Sequence, residues 1–368
     1  MKKYLAIAVS LVILSCSPSA LRIKQGGKYS SSDSKKIDVR IISGTDKLSI
    51  YSSVKLYSKS DSFFVNPGKI KELRPSDVKS EIVFESSDGI VGVNGAKYRG
   101  LIIVRKSGSK LDVCNRISLE DYLKGVVSCE MSGNWHLEAL KAQAVAARTY
   151  AVYFLNKKSN VNYDLDCTTS FQVYKGYSSE SKSGNNAVDQ TSGLIMTYDG
   201  EPVLSFFHST CGGCTSDNGD VWNGKNLPYL KRIKCEYCKD SPKYSWKEIF
   251  SVSEIKSLLE KNGKQTGKIK SINLKRSSER VKDVIVRHTK GEIVLTGNDF
   301  RRIAGAERLR SLYFKTSVSG KNVVFEGKGW GHGVGMCQYG AKNLAERGKN
   351  FSYILKYYYS GVDIRKGY

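Results

Sequence analysis

"SLEDYLKGVVSCEMSGNWHLEALKAQAVAARTYAVYFLNK" (residues 118–157) carries two helical periods with a break between them. "SLED" opens the first as a capping box, and Leu119, Tyr122, Leu123, Val126 and Val127 follow at helical spacing. The break falls at "MSGN", where Gly133 suits a helix stop and Asn134 a new cap. A second helix is expected from about His136 to Lys157, with Leu140, Ala144, Ala147, Ala151 and Phe154 as one apolar stripe and Gln143 and Arg148 off it. Glu130 then sits at or just beyond the end of the first helix, between Cys129 and Met131, with no basic residue closer than Lys124. The negative end of a helix and apolar neighbours both disfavour ionisation. A carboxyl group kept protonated near neutral pH is what a general acid needs. The plain alternative is a solvent-exposed acid at a helix end.

Outward from this pair the periodicity changes. Residues 37–110 alternate as strands do ("KIDVRIISG", "KLSIYSS", "EIVFESSDGIVGV", "RGLIIVRK"), with "SSDG" and "NGAK" as turns, and form a β-rich N-terminal region packed on the remainder of the chain. Beyond the helices, "GLIMTYDGEPVLSFFHST" predicts a hairpin turning at Asp199-Gly200. "WKEIFSVSEIKSLLEKNG" reads as a helix, and "VKDVIVRH" and "GEIVL" as strands. The expected class is α+β.

Composition bounds the rest. With 368 residues and 40% hydrophobic content, the chain is globular, with a sizeable core. The net charge of +24 points to an anionic partner, although the basic residues are scattered rather than in blocks. "MKKYLAIAVSLVILSC" has a basic start and an apolar run too short for an ordinary spanning helix, which reads as an export signal over residues 1–16. Its end, "ILSC", resembles the bacterial lipobox, with Cys16 as the lipidated anchor; an unlipidated signal peptide is the alternative. Residues 17–36 read as a flexible tether. These features imply an extracytoplasmic, lipid-anchored protein of the cell envelope, which argues against nucleic acid as the anionic partner.

"CGGC" and "CEYC" place Cys211, Cys214, Cys235 and Cys238 as two CxxC pairs about twenty residues apart, matching a zinc knuckle within 208–238. Disulfides are the alternative in an exported chain. Four protein ligands would make the zinc structural. Near the C-terminus, "GKGWGHGVGMCQYG" sets glycines on alternate positions from 327 to 335 without any phosphate-loop pattern. His332 and Gln338 there are poor core residues and good candidates for contacting a ligand. Gln172, Tyr174 and Tyr244 could hold a ligand by hydrogen bonds and stacking, and His208 and Ser209 could line a cleft, each with a structural alternative. Trp135 reads as core, and Cys129 has nothing local to activate it as a nucleophile.

"LEDYLKGVVSCEM" followed by "EALKAQAVAARTYA", then "FHSTCGG", "PYLKRIKCEYC", "SPKYSW", "RSLYF" and "GKGWGHGVGMCQYGAKNLAERG", resembles the SpoIID/LytB domain over roughly 111–368. The resemblance implies a mixed α/β catalytic domain and a lytic transglycosylase of peptidoglycan. Such an enzyme cuts the MurNAc–GlcNAc β-1,4 bond in strands stripped of stem peptides and leaves 1,6-anhydro ends. It puts the catalytic role on Glu130, a functional role on Arg148, and metal binding around 208–213. Arg148 could meet the lactyl carboxylate that a stripped MurNAc exposes, or salt-bridge to another helix. The resemblance leaves the fourth ligand open between Cys214 and His208. Cys337 stands where relatives often carry serine. The LytB side of the family implies the rival reading, a non-catalytic glycan-binding module that stimulates a cell-wall amidase.

Overall fold

The computed structural model describes residues 35–58, 64–157, 162–167, 171–222 and 224–368. The export signal, Cys16 and nearly all of the tether lie outside the described residues. Within residues 34–368 the chain forms one compact unit with 27% helix and 37% strand, an α+β fold with a β-rich N-terminal region.

Helix α1 spans Leu119–Glu130 and α2 spans Leu137–Lys157. The Ser118 hydroxyl accepts the Asp121 N–H at 3.1 Å, and Glu120 and Asp121 place negative charge on the first turn, where the helix dipole favours it. The expected single stripe on α2 is too narrow. Ala142, Gln143, Val145, Ala146, Arg148 and Thr149 are buried along with the stripe, because α2 is wrapped on all sides. It packs against α1, the helix α3 (Lys182–Gln190), the strand Leu194–Tyr198 and two C-terminal helices, Gln338–Glu346 and Phe351–Tyr358. Its alanines allow that close approach.

The N-terminal part builds a seven-stranded sheet in which Lys36–Thr45 and Lys110–Ser118 pair antiparallel, and a four-stranded sheet. Ile37, Val39, Leu48, Ile50, Ile102 and Val104 from these strands join the core that encloses α1 and α2. The hairpin at Asp199-Gly200 is present, with both residues at positive φ between the strands Leu194–Tyr198 and Glu201–Pro202.

One stretch differs from its sequence reading. "WKEIFS" is a strand, Ser245–Ser251, and only Val252–Lys261 is helical, capped by the Ser251 hydroxyl. Trp246 and Phe250 point inward while Ile249 is 51% exposed, so a period of two is satisfied locally before the helical period begins. This strand belongs to a second hydrophobic core formed by Phe250, Leu259, Val284, Phe300, Phe314 and Phe325. The segment expected as one catalytic domain therefore carries two cores, the second between residues 246 and 325.

Candidate functional site

Glu130 is the last residue of α1, and Met131 leaves the helix with extended dihedrals. Its half-buried carboxylate accepts hydrogen bonds from the Val173 N–H (Oε1, 3.3 Å) and from Gln338 Nε2 (Oε2, 3.3 Å). Among the described residues no cation pairs with it. Burial raises its pKa above the usual carboxylate range, and the hydrogen bonds from Val173 and Gln338 only partly offset that. Gln338 Nε2 also reaches Gln143 Oε1 at 3.4 Å. Gln143 is fully buried, and its own Nε2 has no partner. This amide lies one side chain away from the acid, on the inner side of Gln338. Sequence reasoning places Gln143 off the helix stripe and goes no further; its signal is an amide in an otherwise alanine-rich run. Beside the acid, Trp135 packs edge-on against Tyr339 with ring centroids 5.0 Å apart, and the Ser209 carbonyl accepts the Tyr339 N–H.

Glu130 and Gln338 are brought together. Three other candidates are turned inward, and their polar groups are consumed there. Arg148 is fully buried, with Nε and Nη2 donating to Glu120 at 2.8 and 2.7 Å. Its remaining donors go to Thr191, Leu194 and Val188, so none is left for a substrate carboxylate. Burial acts to raise the Glu120 pKa, but the Arg148 bonds hold it below the usual range. Gln172 bridges the Tyr122 hydroxyl and the Ala147 carbonyl, and Tyr174 donates to Asn115 while its ring packs against Gly125. Arg148→Ala is accordingly expected to cost about 3–5 kcal/mol of stability, because it leaves Glu120 unpaired in a largely buried site. Thermal unfolding reads this loss; an unchanged midpoint with weakened glycan binding would restore Arg148 to the substrate side.

The cysteine cluster is also different from the sequence reading. Cys211, Cys235, Cys238 and Cys337 are all buried, and their sulfurs lie within 4.8 Å of one another. Cys214 is not among them. Its backbone bridges to Lys234, and its thiol lies near Glu279, Arg280 and Arg232. Cys337 takes the fourth place because Phe207–His208 pairs in parallel with Met336–Cys337, which sets position 337 beside the "HSTC" segment. His208 faces elsewhere: its Nδ1 donates to the Val334 carbonyl at 3.1 Å, and its Nε2 is buried without a partner. Burial pushes His208 well below its ordinary pKa and His332, whose Nε2 bonds the Phe207 carbonyl, down to about 3. Tyr244 stands against Gly213, packed on the first core, with its ring 5.9 Å from the Lys328 ammonium.

Four thiols at this spacing suit a tetrahedral soft-ligand site such as zinc. Cys211 and Cys238 have sulfurs 3.4 Å apart, beyond the roughly 2.05 Å of a disulfide. Arg280 supports the fit independently. It is 1% exposed, donates to Ser216 and to the Cys211 and Cys214 carbonyls, and leaves Nη1 unpartnered. No carboxylate hydrogen-bonds it among the described residues. A dication held by four thiolates keeps a net negative charge, which a lone buried guanidinium beside Cys211 requires.

The glycine loop joins these parts. Gly329, Gly331, Gly333 and Gly335 all have positive φ. A Cβ at each would strike the Thr210 carbonyl (2.5 Å), His208 (2.9 Å), Arg280 (2.0 Å) and the Phe206 carbonyl (2.0 Å) in turn. The loop is therefore a buried ribbon between the acid, the cysteines and the second core.

Known proteins share much of this chain. Residues 107–198 match the SpoIID model, described as stage II sporulation protein, and residues 234–335 match a domain of unknown function (DUF8618). An uncharacterized protein of Brachyspira hyodysenteriae is 38% identical over 287 residues, 78% of this chain and 77% of that protein. Stage II sporulation protein D of Bacillus amyloliquefaciens is 38% identical over 263 residues, 67% of this chain and 74% of its own length. The amidase enhancer of Bacillus subtilis is 33% identical over 293 residues, 66% of this chain and 40% of the longer relative.

Proposed function

This chain belongs to the stage II sporulation protein D family, and from that premise we propose that it is a peptidoglycan lytic transglycosylase acting on glycan strands freed of stem peptides. The observation that carries the reading is Glu130, a carboxyl group whose burial favours the protonated form, held by one amide and one backbone N–H. Glu130 gives its proton to the glycosidic oxygen as the C1–O4 bond breaks. The resulting carboxylate takes the proton of the MurNAc C6 hydroxyl, whose oxygen closes onto C1. One carboxyl group serves both steps, so the second carboxylate of an ordinary glycoside hydrolase is not required. Val173 and Gln338 orient the carboxyl, and Gln143 stands behind Gln338, accepting from its Nε2. Zinc, held by Cys211, Cys235, Cys238 and Cys337, is structural, since four protein ligands leave no open position for water. The protein acts in the cell envelope, anchored through Cys16, with peptidoglycan as its partner.

The rival reading is a glycan-binding module that stimulates a cell-wall amidase, favoured by the likeness to the amidase enhancer. Purified protein incubated with intact and with amidase-treated peptidoglycan separates the two. Anhydro-muropeptides from the treated material support the enzyme; binding without products supports the module.

The protonation state also fixes a pH dependence. A carboxyl whose folded-state pKa is raised contributes its full proton-linked stability below the ordinary carboxylate pKa and loses it as pH rises through the raised value. Turnover should fall over the same rise, because the donated proton is then absent. Glu130→Gln lacks the titrating group, so its stability relative to wild type should grow with pH across that window. Parallel denaturation curves from pH 4 to pH 8 check this, and a constant gap would mean that Glu130 titrates as an ordinary acid.

A further inference from the structure

The second core carries a surface that the cutting reaction leaves unused. In the sheet built from Ser245–Ser251, Asn322–Lys328 and Phe314–Ser319, Lys247 stands opposite Glu326 and Glu326 opposite Lys315. Ser245 stands opposite Lys328, whose N–H bonds the Tyr313 carbonyl. Opposed residues in a sheet share a face and successive ones alternate, so Lys247, Lys315, Lys328 and Glu326 lie on one side. Trp246 and Phe314 lie on the other, closed over Gly327, where a Cβ would meet the indole at 2.1 Å. With Arg276 and Glu279 from the adjacent hairpin, these residues line a groove of about 740 Å³.

Charge in this groove is unbalanced. Four cations (Lys247, Lys315, Lys328 and Arg276) meet two carboxylates. Glu326 is shared between Lys247 at 3.4 Å and Lys315 at 3.0 Å, while Glu279 is held by Arg232 from outside. Lys328 has aromatic neighbours instead, with Tyr244 and Tyr313 each 5.9 Å from its ammonium. The same pairing of cation and ring continues along the glycine loop, where Lys243 lies 4.1 Å and Arg310 5.6 Å from the Trp330 ring. Gly327 and Lys328 border the groove at one end of that loop, and Gln338 touches Glu130 at the other. Aromatic faces beside an excess of cationic groups suit a saccharide that carries carboxylates. On the reading of Glu130 given above, such a saccharide is already present, since removing stem peptides exposes one lactyl carboxylate on each MurNAc.

We propose that the groove lined by Lys247, Lys315, Lys328 and Tyr313 is a second glycan subsite that recognises the lactyl carboxylates of peptide-free strands, remote from the cutting acid. It selects stripped over intact strands, because a stem peptide occupies that carboxylate as an amide.

The test uses the full chain carrying Glu130→Gln, so that no turnover intrudes, with and without Lys315→Glu and Lys328→Glu. The probe is amidase-treated sacculi freed of phosphate polymers by hydrofluoric acid, and the readout is co-sedimentation. The two charge reversals are expected to weaken binding roughly tenfold, with a comparable loss for the parent protein when the glycan carboxyls are amidated by carbodiimide and ammonia. Raised salt should shrink the difference. Circular dichroism controls for folding, which exposed substitutions should not disturb. Equal binding by parent and variant, or stronger retention on walls that keep their phosphate polymers than on stripped glycan, overturns the proposal. Failure of the transglycosylase reading would appear separately, as anhydro product still released by Glu130→Gln.

Discussion

Glu130→Gln should reduce the release of 1,6-anhydro ends by at least about a thousandfold while leaving binding of stripped glycan within a few-fold of wild type. General acid and general base work each contribute about 10²–10⁴ to a rate, and here one side chain performs both. The amide is close to isosteric, so it can keep hydrogen-bonded contact with Val173 or Gln338, at 3.3 Å in the wild type, while having no proton to give. Separation of products by mass reads the outcome directly. A variant that still yields anhydro-muropeptides at near the wild-type rate removes Glu130 from the chemistry. Loss of binding in parallel with loss of product would instead favour a sugar-gripping adaptor.

The second large effect concerns metal and separates two cysteines that look alike in the sequence. Cys337→Ser should bring zinc content well below one ion per chain and lower the thermal midpoint markedly, whereas Cys214→Ser should leave both unchanged. Ligand loss removes binding free energy that is also folding free energy, and structural zinc sites are worth on the order of 10 kcal/mol. The effect should reach the acid, because Cys337 immediately precedes Gln338, which donates to Glu130. Chelation of the wild type should therefore reproduce both the stability loss and a drop in turnover. Metal analysis with thermal melts of the two variants decides it. Equal metal content in Cys337→Ser and wild type would return the fourth position to Cys214.

Legibility in the sequence declines with distance along the chain. The helices at 119–130 and 137–157, the turn at Asp199-Gly200 and the placement of Glu130 at a helix end all rest on spacing within about twenty residues. The membership of Cys337 does not. It depends on a parallel pairing with His208 across more than a hundred residues, and the nearby "CGGC" offers Cys214 as a closer and misleading partner. Arg148 shows a different limit. Composition marks it as a cation, but only the packing of α1 on α2 shows that Glu120 and three other residues use all its donors. Gln172 and Tyr174 have the chemistry of sugar-binding side chains, yet their polar atoms serve the interior. The strand at Ser245–Ser251 is hidden by the helix that continues from it without a break.

The ribbon of alternate glycines has one further consequence. Because Thr210, His208, Arg280 and Phe206 press on it at Gly329, Gly331, Gly333 and Gly335, point substitution there has no smaller residue to turn to and no tolerable larger one. The stretch of chain separating Lys328 from Gln338 thus behaves as a gauge of set length. Selection can redecorate what stands at either end, but it cannot lengthen or bend the interval by ordinary side-chain drift.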